Sequence, residues 1–242
     1  MLDPAAFVLI HSPLVGAWTW SPVADGLHTR HIEAFVPALT DSASDPRPYW
    51  QQHAQSVARE LAFLPADRSL ILVGHSGAGP LLPAIRQRLP QPVSAYIFVD
   101  AGLPHNGASR LDLLATESPT LANHVHQHLE AGGRFPEWTD EQLRRIIPNP
   151  HQRQHLLAEL QPRSLPFFTE PIPVWAAWPD APCAYMQFSP SYAASRRFAQ
   201  QASWLIRTVD AEHFHMLVEP TIVAALLIEI VQTIAASSSL SA

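Results

Sequence analysis

One short segment carries the residue types of nucleophilic catalysis. Gly74-His75-Ser76-Gly77-Ala78-Gly79 follows the apolar run Leu70-Ile71-Leu72-Val73 directly and opens a helix-like stretch. A serine on a tight turn between strand and helix needs small residues on both sides, because bulk at Gly74 or Ala78 would strike the neighbouring elements. Such a turn is strained and lifts the Ser76 hydroxyl above the sheet. The helix start behind it stabilises negative charge. The backbone N–H of Gly77 points to where a tetrahedral oxyanion forms. A serine hydroxyl is a weak nucleophile, so this chemistry also requires a base, oriented by a third group.

The elements that position Ser76 are legible around it. Phe7 to Ile10, Ile32 to Val36, Ser69 to Val73, Val93 to Val99, Ala184 to Phe188 and Leu205 to Val209 read as strands. Trp50 to Phe63, Ala78 to Leu89, Ser191 to Gln201 and Thr221 to Ala235 read as helices, although Pro83 would perturb the second. Strands that are continuous apolar runs and alternate with helices predict a parallel sheet covered on both faces. The stretch from Leu103 to Pro173 breaks this rhythm. Pro119 to Glu130, Asp140 to Ile147 and His151 to Leu160 are short helical pieces separated by Gly132-Gly133 and prolines. They predict a helical lid above the sheet. The expected division is a first core part over 1–102, a lid over 103–173 and a second core part over 174–242.

Composition narrows the function classes. The chain has 242 residues, 47% hydrophobic and 15% charged, with a net charge of −6. That balance disfavours a nucleic-acid binder, which shows a basic stripe, and a disordered chain, which is poor in apolar residues. All 15 basic residues are arginine. The absence of lysine excludes Schiff-base, pyridoxal-phosphate and P-loop lysine chemistry. Cys183 is the single cysteine, so no internal disulfide forms. The first residues lack the pattern of a signal peptide. The apolar stretch Ile222 to Ala236 reads as too short for a bilayer and carries Glu229. The expectation is a soluble, cytoplasmic protein with a small-molecule substrate and no nucleic-acid or membrane partner. His124, His126 and His128 read as a solvated helix face, so no metal is expected.

The elbow and its surroundings resemble the α/β-hydrolase superfamily over nearly the whole length. Phe7 to Ser12 is similar to the family's strand ending in His-Gly. Gly16-Ala17-Trp18-Thr19-Trp20 after it resembles the small esterases and hydroxynitrile lyases, whose pattern is His-Gly-x-x-x-Gly-x-Trp-x-Trp. Ala211-Glu212-His213-Phe214-His215-Met216-Leu217-Val218-Glu219-Pro220 resembles the family's histidine loop, Gly-His-Phe-x-Met-Leu-x-x-Pro. The resemblance implies an α/β-hydrolase fold, with a mainly parallel sheet flanked by helices and a helical cap insertion. It implies His213 as the base, by its spacing to Phe214, Met216 and Pro220, with His215 as the rival. It implies no cofactor.

Two features depart from the family pattern. Many members place the acid after the next-to-last strand, but Gln187-Phe188-Ser189-Pro190 holds no carboxylate there. Asp100, at the end of Tyr96-Ile97-Phe98-Val99, stands at the alternative acid location, as in one branch of the haloalkane dehalogenases. The competing reading is a loop-capping carboxylate. The second oxyanion amide is expected two residues after the strand-end histidine, where Pro13 has no N–H. Gly77 then supplies one donor, and Leu14 or the Ser12 hydroxyl the other. His11, Ser12, Trp18, His75, Tyr185 and His215 are the candidate pocket residues. Tyr185 and Tyr192 border the strand that lacks the acid, and for both, packing with the hydroxyl at the surface is the favoured reading.

These residues imply a serine hydrolase for a small, largely apolar ester or thioester, with Ser76, His213 and Asp100 acting through an acyl-enzyme. A lyase or cyclase using Ser76 and His213 without an acyl-enzyme is the alternative that Pro13 motivates. A small-molecule-binding relative with negligible turnover is the third.

Overall fold

The computed structural model describes residues 5–239. Six strands, β1 (Ala6–Ile10), β2 (Ala34–Phe35), β3 (Leu70–His75), β4 (Val93–Val99), β5 (Cys183–Gln187) and β6 (Leu205–Thr208), form one parallel sheet. Their order is β2-β1-β3-β4-β5-β6. Successive side chains point to opposite faces, so each apolar run feeds two cores. Phe7, Leu9, Ile71, Val73, Ile97, Val99 and Met186 pack on one face with Trp20, Leu27, Leu217 and Leu227. Val8, Ile10, Leu70, Leu72, Tyr96 and Phe98 pack on the other with Val57, Leu61, Leu82 and Ile85. Each such side chain contributes about 1.5–3 kcal/mol by leaving water, and burial on both faces is what an unbroken apolar run requires.

Proline explains where the elements differ from expectation. The helix expected over Ala78 to Leu89 is a 3-10 turn, Ser76–Leu81, followed by a short α-helix, Leu82–Arg86. Pro80 lies in the 3-10 turn and Pro83 in the first turn of the α-helix, where a missing N–H costs least. Pro190 likewise opens a 3-10 turn, Pro190–Tyr192, before the helix Ala193–Gln201. β2 is shorter than Ile32 to Val36. It pairs only with β1 and stops before Pro37, which has no amide to give a ladder. The last helix, Pro220–Ser239, is longer than Thr221 to Ala235. By length and composition its Pro220–Ser237 portion could cross a membrane, with mean hydropathy 1.7, which corrects the reading of this stretch as too short. Val223, Ala224, Leu227 and Ile230 on it are buried in the core.

The lid carries helices Arg110–Glu117, Pro119–Glu130, Asp140–Leu143, Pro150–Ala158 and Leu165–Thr169. The first of these is absent from the sequence reading, although Ser109 and Asp112 cap it reciprocally. Val125, Leu129, Phe167 and Phe168 form a separate small core with Leu14 and Tyr49 beneath it.

Register decides where the site lies. His75 is opposite Val99, Val99 opposite Met186, and Gln187 opposite Thr208. The chain therefore leaves β3, β4, β5 and β6 along one carboxyl edge. Ligands bind outside that edge in open parallel sheets.

Candidate active site

Ser76 leaves β3 with a φ of +56° and Asp100 leaves β4 with a φ of +41°. Left-handed backbone is uncommon for residues with a Cβ and concentrates at functional sites. Small neighbours permit the turn at Ser76. A Cβ on Gly79 would stand 2.1 Å from the Gly102 carbonyl oxygen, and one on Gly74 would meet Leu82 Cδ2 at 3.1 Å. Glycines at these points let the elbow pack against the strand and helix that flank it.

The Asp100 side chain is fully buried and accepts four hydrogen bonds. Its Oδ1 takes the amides of Phe188 and Ser189, each at 3.0 Å. Its Oδ2 takes the Ser189 hydroxyl at 2.7 Å and His213 Nδ1 at 2.7 Å. Burial pushes the Asp100 carboxyl up, but the His213 bond and charge, with the Ser189 donors, outweigh it and hold it below the ordinary carboxylate value. An ionised carboxylate at Nδ1 keeps the proton on that nitrogen and leaves the Nε2 lone pair as the base. Asp180, the other acid near this region, is occupied elsewhere. It accepts from Arg86 Nε at 2.8 Å and from the Tyr96 hydroxyl at 2.5 Å. The carboxylate caps the turn after β5 through the Phe188 and Ser189 amides and bonds His213 as well.

His213 is held from a second side. The imidazole of His75 is wholly buried, lies 4.5 Å from the His213 ring centroid to centroid, and donates Nε2–H to the His213 carbonyl oxygen at 3.0 Å. Burial and the nearby His213 hold His75 well below its usual value, so it stays neutral. His75 is thus a brace and not the pocket-lining residue expected. His215 begins the helical turn His215–Val218 and meets Phe188 edge-on at 5.4 Å, without a bond to Ser76 or Asp100.

The oxyanion loop corrects two further expectations. His11 is buried; its Nδ1 bonds the Ser12 carbonyl and its Nε2 accepts the Leu39 amide at 3.0 Å. It braces the loop and does not line a pocket. The Leu14 amide is turned to Ser12 Oγ at 3.4 Å, so Leu14 is not the second donor beside Gly77. The Ser12 hydroxyl flanks Gly77: a Cβ there would meet Ser12 Oγ at 3.3 Å and Pro13 Cδ at 3.6 Å. Tyr185 is also corrected. It is fully buried, and its hydroxyl donates to the Ala101 carbonyl at 2.7 Å and accepts the Ala101 amide at 3.1 Å. Trp18 stacks on His155 of the lid at 3.9 Å and 7°.

Two contributors were not foreseen. Ser189 occupies the stretch where the family's acid is missing and donates its amide and hydroxyl to Asp100. Tyr192 turns inward, against the surface reading. Among the described residues its hydroxyl, and not His213, is the hydrogen-bond partner of Ser76 Oγ, at 3.0 Å. Its ring stacks on His213 at 5.5 Å and 21°.

Comparison with known proteins agrees with this fold. The profile described as "Alpha/beta hydrolase family" matches residues 7–226. Methylesterase 17 of Arabidopsis thaliana is 27% identical over 165 residues, 66% of this chain and 59% of that protein. Methylesterase 1 of the same plant is 29% identical over 125 residues, 48% of each. The chain therefore spans about half to three-fifths of the length of these curated relatives. An extracellular alpha/beta-hydrolase from a Paenibacillus species superposes with a TM-score of 0.76 at 20% identity, covering 94% of this chain and 99% of that one. That likeness shows the fold.

Proposed function

Because the chain belongs to the alpha/beta hydrolase family, we propose that it is a serine hydrolase cleaving a small, largely apolar carboxylic ester or thioester. The observation that carries this reading is the Asp100–His213 pair at the mouth of the Ser76 elbow. Ser76 Oγ gives its proton to His213 Nε2 and attacks the carbonyl carbon. The Gly77 amide and the Ser12 hydroxyl receive the oxyanion. The tetrahedral adduct collapses, the alcohol leaves with the proton from His213, and water hydrolyses the acyl-enzyme by the same route in reverse order. The methylesterase relatives support an ester as substrate.

Intact mass after exposure to a fluorophosphonate tests the reading. A single adduct that disappears in Ser76→Ala is expected, followed by turnover on an ester and thioester panel. No adduct on the folded protein overturns it in favour of a lyase, a cyclase or a binding protein. Pro13, which removes one oxyanion amide, is the feature that favours those alternatives.

A further inference from the structure

We infer that Tyr192 is a catalytic residue that donates a hydrogen bond to the departing alcohol oxygen. The inference rests on the hydrolase reading above and assigns a residue for which the Ser, His and Asp set has no role.

The geometry points to the leaving group and not to the oxyanion. Tyr192 Oη lies 3.0 Å from Ser76 Oγ, and its ring lies face to face with His213. The hydroxyl therefore stands beside the path by which the His213 proton travels. In the hydrolase reading the oxyanion goes to Gly77 and to Ser12, whose Oγ a Cβ on Gly77 would meet at 3.3 Å. In the tetrahedral adduct Oγ and the leaving oxygen are bonded to the same carbon, so a donor in contact with one reaches the other by a small shift. On collapse the carbon–oxygen bond breaks, its electron pair goes to the leaving oxygen, and His213 Nε2–H supplies the proton. Tyr192 shares its own proton with that oxygen while charge builds and keeps it throughout. Burial raises the phenol above its usual value, so the group remains a neutral O–H donor.

Tyr192 is also held in place from both sides. Ser189, three residues earlier, is fixed on Asp100 by its hydroxyl and amide. Glu117 of the lid caps the next helix, its Oε2 accepting the Ala194 amide at 2.9 Å and its Oε1 the Ser195 amide at 2.8 Å. A tyrosine that merely filled space would not require its hydroxyl at the nucleophile.

The test is Tyr192→Phe assayed on a methyl ester and a 4-nitrophenyl ester of the same acid. Methoxide is a poor leaving group that needs the donor, and nitrophenolate needs it far less. The expected loss in kcat/KM on the methyl ester is ~10- to 100-fold, the worth of a bond to a charged oxygen. The loss on the nitrophenyl ester should be at least ~10-fold smaller. Equal losses on both, or none on either, overturn the inference. A 3,5-difluorotyrosine at position 192 guards against misfolding of the phenylalanine variant. Its methyl-ester activity should fall as the acidified phenol ionises, at a pH where the parent is still active, and a profile identical to the parent's overturns the inference. A parent that cleaves both esters while Tyr192→Phe loses equally sinks only the role of Tyr192. A parent that cleaves neither, with no fluorophosphonate adduct, sinks the hydrolase reading and this inference with it.

Discussion

Ser189 and His213 share one oxygen of Asp100. The Ser189 hydroxyl and His213 Nδ1 both donate to Oδ2 at 2.7 Å, while the amides of Phe188 and Ser189 fill Oδ1. Asp100 thus rises from the end of β4, and the turn after β5, which lacks a carboxylate, supplies three of its four hydrogen-bond donors. Four donors on a fully buried carboxylate fix both its charge and its orientation.

Asp100→Asn tests the acid. The neutral amide keeps the shape but no longer holds the proton on His213 Nδ1. The expected loss is ~10⁴ in kcat on a confirmed ester, with the folded state retained by circular dichroism. Activity within a few-fold of the parent's removes Asp100 from the mechanism.

Ser189→Ala tests its support. The variant loses the hydroxyl bond but keeps the amide bond and His213. A drop of ~3- to 10-fold in kcat is expected for one hydrogen bond. The Asp100 carboxyl lies below the ordinary value, so the stability it contributes is present above that value and lost as pH falls through the folded one. Removing a donor raises the folded value toward the unfolded one, so the variant should lose less stability as pH falls, and its decline should end at a higher pH than the parent's. Superimposable stability–pH curves would show that the hydroxyl bond does not tune the acid.

Ser12→Ala tests the oxyanion site. The Leu14 amide is turned to Ser12 Oγ and Pro13 has none, so the Ser12 hydroxyl is the group beside Gly77. Its loss should lower kcat by ~10²- to 10³-fold with little change in KM, because an oxyanion donor acts in the transition state. A rise in KM at constant kcat would instead make Ser12 a ground-state contact.

The elbow, the six strands and the place of Asp100 at a strand end were legible because each leaves a local signature. β3 and β4 are unbroken apolar runs, and Ser76 and Asp100 sit at their ends. The roles of His11, His75 and Tyr185 were not legible. Their partners, Leu39, His213 and Ala101, lie 28, 138 and 84 positions away, and only the sheet order brings them together. The inward turn of Tyr192 had the same cause. Ser76 is 116 positions distant, and the single local signal was Ser189-Pro190, which starts the 3-10 turn that aims the ring. The lid helix Arg110–Glu117 was missed although the Ser109 and Asp112 spacing is a capping box, because its apolar face is short.

His53 should make the protein less stable on the acid side. Asp41 accepts His53 Nε2–H at 2.8 Å and Arg163 Nη1 at 2.7 Å, and Arg163 also reaches the Pro13 carbonyl at 3.4 Å. The trio ties the lid to the core beside the oxyanion loop. Burial, with the charges of Arg110 and Arg163, pushes His53 from 6.5 down to about 4, despite the Asp41 carboxylate. A folded value below the unfolded one means that, below pH 6.5, the unfolded chain takes up a proton the folded chain refuses. The stability due to neutral His53 is therefore complete above that pH and declines as pH falls toward about 4. His11 and His75 are also held low by burial and act in the same direction, so only part of the decline belongs to His53. His53→Gln keeps an N–H for Asp41 but cannot titrate. Its melting temperature should fall less steeply than the parent's between pH 6.5 and about 4, measured by calorimetry at matched ionic strength. Parallel curves would mean that His53 is protonated in the folded state, and that the Asp41–Arg163 tie is not built around a neutral imidazole.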